Sequence, residues 1–165
     1  MLRIVKLNLY NYKLFNEMCE NWSNYNNELD QFFSNYLKVN LNLKPAEIIQ
    51  ILQKQEKNRF MEINPATLYF LFDTTENAYV GLARVSFILE DKVNRNFNIE
   101  MKISPKFKDN LYEIDFIDLL SKVFIERNKV KPIFRVDKNV NKISNALIKA
   151  EKVLIKTDDK YCFYQ

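Results

Sequence analysis

The chain has 165 residues, 47% of them hydrophobic, and a net charge of +4 spread over dispersed lysines. This fits one globular domain with its own core rather than a disordered segment. With no histidine and a single glycine, Gly81, the chain cannot build a Ser-His or Cys-His nucleophile, a His-ligated zinc site or a glycine-rich phosphate cradle.

No basic stripe with arginine forks points to nucleic acid. No apolar run approaches the roughly 20 residues that span a bilayer, and the alternating start Met1-Leu2-Arg3-Ile4-Val5-Lys6 lacks a signal-peptide core. The expected location is cytoplasmic, with neither nucleic acid nor membrane as partner. Cys19 and Cys162 are far apart in no ligand spacing, so both are expected to be buried free thiols.

Alternation from Leu2 to Leu9 predicts a strand. Asn11 is placed to cap a helix with apolar positions Leu14, Phe15, Met18, Cys19 and Trp22. After a polar break from Ser23 to Asn27, Leu29, Phe32, Phe33, Tyr36 and Leu37 form a second helical stripe. Pro45 suits the first turn of a third helix carrying Ile48, Ile49, Ile51 and Leu52. Beyond Pro65 three strands are predicted, over 67–73, 78–90 and 96–104, with short turns that make an antiparallel meander. A helix over 109–127 has an apolar face wide enough to lie against a sheet. A strand (131–137), a short helix (141–150) and a hairpin (152–156 and 161–164, turning at Thr157-Asp158-Asp159-Lys160) complete the chain. The order is β-ααα-βββ-α-β-α-ββ in one domain, 1–165. The exposed edge of the terminal hairpin is one that a second copy could cover, so a homodimer is plausible.

That order, the meander ending in Ile103-Ser104-Pro105, and Asn141-Lys142-Ile143-Ser144 between a strand and a helix together resemble the GNAT superfamily of acyl-CoA N-acyltransferases. The resemblance implies an α/β (α+β) fold: a mixed central sheet with helices on both faces, and fourth and fifth strands that run parallel and splay in a V. It implies acetyl-CoA as co-substrate, no metal, and direct acyl transfer to a small amine or a peptide amine. The helical segment of about 11–64 would shape the acceptor side, lined by Trp22, Tyr25 and Phe33; aromatic residues at such spacing also serve as core.

In this family the pyrophosphate rests on backbone N–H groups at the start of the long helix, at an Arg/Gln-x-x-Gly-x-Gly/Ala motif. The helix dipole and unpaired donors favour an anion there. The matching run is Lys108-Asp109-Asn110-Leu111-Tyr112-Glu113, in which Leu111 and Glu113 replace the small residues. The resemblance further implies backbone contacts to the pantetheine arm from Met101, Lys102 and Ile103, and channel contacts from Asn141 and Ser144, which also suit a helix cap. Glu100 would be the general base, and Tyr161 a candidate acid, with Tyr112 and Tyr164 as the other tyrosines in its vicinity; each also suits core packing. The eroded motif keeps two alternatives open: a catalytically inactive GNAT-fold ligand- or protein-binding module, and an unrelated α/β interaction protein.

Overall fold

A computed structural model describes residues 1–23, 42–57, 66–89, 95–108, 111–128 and 131–165. Its elements are β1 (Leu2–Val5), α1 (Tyr12–Ser23), α2 (Pro45–Lys57), β2 (Ala66–Asp73), β3 (Ala78–Leu89), β4 (Arg95–Ile103), α3 (Tyr112–Asn128), β5 (Ile133–Asp137), α4 (Asn141–Lys149), β6 (Leu154–Thr157) and β7 (Tyr161–Tyr164). The expected helical stripe from Leu29 to Leu37 lies outside the described residues.

The first strand is shorter than its alternation suggests. It stops at Val5 because Asn8 starts a capping box: its side chain accepts from the N–H groups of Tyr10 and Asn11, while the Asn11 side chain accepts from the Asn8 N–H. The cap is therefore Asn8, three residues before the expected Asn11, and a single 3-10 turn (Leu9–Asn11) leads into α1. Pro45 opens α2, as its missing N–H allows.

The strands pair in the order β1-β2-β3-β4-β5-β7-β6. All pairs are antiparallel except β4 with β5. The apolar alternation of each strand feeds two cores, one on each face. On one face Phe15, Met18 and Trp22 of α1 and Ile48 and Ile49 of α2 cover Leu68, Phe70 and Leu82. On the other, Phe116, Ile117, Leu120 and Phe124 of α3 and Leu147 of α4 cover Val80, Ala83, Ile99, Phe134 and Val136. A register shift at Leu71/Phe72 skips Val80, so Tyr79 and Leu82 reach the same face although three positions apart.

The lone glycine has a steric reason. A Cβ on Gly81 would lie 2.9 Å from both the Lys102 carbonyl oxygen and Ile103 Cδ1. Cys19 and Cys162 are free, but each is half-buried rather than fully buried.

Candidate active site

Parallel pairing between β4 and β5 is confined to Asn98 with Ile133 and Ile99 with Phe134. Among the described residues, the edge of β4 turned away from β3 has no strand partner from Glu100 onward, and a cleft of about 600 Å³ opens between the two strands. Alternation decides which side chains face which way. Ile99 and Met101 belong to the core under α3, as do Phe134 and Val136; Glu100, Lys102, Arg135 and Asp137 therefore turn to the α1 face.

Charge on that face is tightly organised. Arg84, opposite Glu100 in the β3–β4 register, donates from Nη1 to Glu100 Oε2 at 3.2 Å. Arg135 donates from Nη2 to Glu100 Oε1 across the V. The Glu100 side chain is only 13% exposed and that of Arg84 6%. The Arg135 guanidinium lies over the Tyr161 ring, 4.5 Å from its centroid, and Lys160 Nζ is 5.2 Å from the same ring. Asp137 faces Tyr161 in the β5–β7 register and accepts from the Asn139 N–H at 2.9 Å.

The opposite wall is the start of α3. Ser104 is anchored by its N–H to the Val80 carbonyl at 2.8 Å, and a 3-10 turn, Pro105–Phe107, follows. Leu111 then adopts a left-handed φ of 55°, the conformation glycine adopts without steric cost. Tyr112 opens α3 and donates from its hydroxyl to Asp73 Oδ2 at 2.7 Å. Burial pushes the Asp73 carboxyl up. The bonds from Tyr112 and from the Thr75 and Glu76 N–H groups, with the charge of the Met1 ammonium, outweigh that and hold it below its ordinary value. The buried Glu113 carboxylate is met by Lys142 Nζ of α4 at 3.0 Å.

Of the residues expected from sequence, Trp22, Glu100, Met101, Lys102, Ile103, Lys108, Glu113 and Tyr161 line this one cleft. Asp109, Asn110, Tyr25 and Phe33 lie outside the described residues. The remaining expected residues are placed as follows. Leu111 projects outward, 64% exposed, and Tyr112 is drawn to Asp73. Asn141 and Ser144 do not line the cleft, because Lys142 and Ile143 take the inward side of α4. Nor does Asn141 cap that helix, since Val140 occupies the N-cap position. Glu100 lines the cleft with both oxygens already engaged by guanidinium groups, not as a free carboxylate. Arg135, Asp137, Lys142 and Lys160 also line it and were missed. The signal for Arg135 and Asp137 was their phase opposite Phe134 and Val136 along a short strand.

A parallel β4–β5 pair that splays open, with helices on both sheet faces and a helix N-terminus at the opening, is the fold of the GNAT N-acyltransferases. The spermidine N-acetyltransferase from Vibrio cholerae, in complex with CoA and spermine, superposes with a TM-score of 0.63 at 11% identity, over 99% of this chain and 93% of that one. The Campylobacter jejuni N-acetyltransferase PseH gives 0.57 at 11%, over 99% and 95%. Apo FdhC, a nucleotide-linked sugar GNAT, gives 0.62 at 15%, over 99% and 84%. At these identities the likeness is one of fold. No protein-family model matches the sequence, and no curated protein is significantly similar to it.

Proposed function

We propose that the chain is an acetyl-CoA-dependent N-acetyltransferase acting on a small amine or a peptide amine. The observation that carries this reading is the cleft opened where β4 leaves β5, walled by Met101–Ile103 on one side and the start of α3 on the other. Its likeness in fold to N-acetyltransferases, one of them in complex with CoA and spermine, supports it.

Acetyl-CoA would supply the activated thioester that an amine attacks. The residues present fit it in part. The edge of β4 turned away from β3 offers backbone groups from Met101 to Ile103 to the pantetheine arm. Lys108 and Lys142 offer cations to the phosphates, and the left-handed backbone at Leu111 keeps the turn that a glycine would make. Glu113 is the misfit, because its carboxylate takes up Lys142; phosphate binding requires that ion pair to open. Glu100, clamped by two arginines, fixes the Arg135 guanidinium. Asp137 is then the carboxylate that receives the acceptor's proton, and Tyr161 the hydroxyl that protonates the departing thiolate.

The Glu113–Lys142 pair also favours a second reading, a ligand- or protein-binding module on the same fold that does not take acetyl-CoA. The test is mass-spectrometric detection of acetylated amine across a panel of acceptors, with rates followed against pH. The transferase reading expects turnover in the wild type and loss of its pH dependence in Asp137→Asn. No acetylated product from any amine, with acetyl-CoA intact, favours the second reading.

A further inference from the structure

Among the described residues, the face of the sheet under α1 where the V opens holds more positive than negative charge. Lys102 and Arg135 line the cleft there, Lys160 joins them from the turn before β7, and Arg84 stands behind. Among the described residues, the carboxylates that line the cleft on this face are Glu100 and Asp137. Both Glu100 oxygens are engaged, and one Asp137 oxygen holds the Asn139 N–H. Two buried donors of cleft-lining residues, Trp22 Nε1 and Arg135 Nε, have no acceptor among the described residues. A buried donor left without an acceptor carries its full desolvation penalty. The phosphates of CoA belong to the other wall, with Lys108, Lys142 and the start of α3.

Resting on the transferase reading, we infer that the acceptor is an amine that also bears an anionic group, a carboxylate or a phosphate, held by Arg135 together with Lys102 and Lys160. The guanidinium is already oriented by Glu100 and by the Tyr161 ring, and its planar fork matches either anion. Asp137, two residues further along β5 and opposite Tyr161, is left for the ammonium end. A polyamine would set its charges among three cations.

The experiment titrates acetyl-CoA into the protein by calorimetry. It then compares initial rates for matched acceptors: amino acids against their amides, amino-sugar phosphates against the free amino sugars, and spermidine. The anionic member of a pair is expected to be preferred at least about tenfold in kcat/KM, and the pair that responds identifies carboxylate or phosphate. Arg135→Met should raise KM for that acceptor by about 10- to 100-fold while leaving acetyl-CoA affinity unchanged, which also reports that the variant is folded. Arg135→Lys should recover part of the loss. Preference for the neutral acceptors or spermidine, or acetylation of none of them although acetyl-CoA binds, overturns the inference and spares the cofactor site. Failure to bind acetyl-CoA overturns the transferase reading, and this inference with it.

Discussion

Replacing Leu111 with glycine removes a side chain that is 64% exposed from a backbone held at a φ of 55°. Little apolar burial is lost, so the balance lies in the backbone. A non-glycine residue in the left-handed region costs roughly 1–2 kcal/mol. Glycine returns part of this through the extra freedom of its unfolded chain, roughly 0.5–1 kcal/mol. Leu111→Gly should therefore stabilise by about 0.5–1 kcal/mol, and a domain of this length responds by roughly 2–4 °C for each kcal/mol. Leu111→Ala keeps the strain and serves as the control. Thermal melts by circular dichroism should rank glycine above both leucine and alanine. A glycine variant less stable than the alanine one would mean that the backbone at 111 is not left-handed, and the loop geometry argued above would be wrong.

Glu113→Ala should tighten acetyl-CoA binding about tenfold or more, because it removes a buried carboxylate from the phosphate end and releases Lys142; weaker binding by calorimetry would show that Glu113 supports the loop. Gly81→Ala should cost about 1–3 kcal/mol in urea unfolding, since its Cβ meets the Lys102 carbonyl oxygen at 2.9 Å, and an unchanged midpoint would contradict that contact. Tyr112→Phe should destabilise by about 1.5–3 kcal/mol at neutral pH through loss of its bond to the Asp73 carboxylate. The sign with pH follows from the lowered Asp73 carboxyl. Its stabilisation is fully present above the unfolded value near ~3.9 and is lost as pH falls through the lower folded value, so the gap between wild type and Tyr112→Phe should close below about pH 4.

Most of the fold is written in short-range pattern. The aromatic alternation of β2, the wide apolar face of α3 and the turn at Thr157–Lys160 each needed only neighbouring residues to be read. The features that escaped depend on register or on distant partners. The Asn8 capping box was masked by the continued alternation through Leu9, and the only local sign of the skipped Val80 is the lone Gly81 beside it. Within the cleft, β4 and the start of α3 were legible as places. Their charge chemistry was not, because Arg84 and Arg135 reach Glu100 across 16 and 35 positions of sequence and meet only once the sheet is assembled. Lys142 likewise meets Glu113 only because α4 packs beside α3.

The central claim is that the opening between β4 and β5 receives acetyl-CoA against the start of α3, and a thermal melt of the wild-type chain with increasing acetyl-CoA tests it most directly. A ligand at 100 times its dissociation constant stabilises the folded state by about 2.7 kcal/mol, which for this chain length is a rise of several degrees. A saturable rise of that size is predicted. A flat melting temperature up to millimolar acetyl-CoA would contradict the account and leave only the fold.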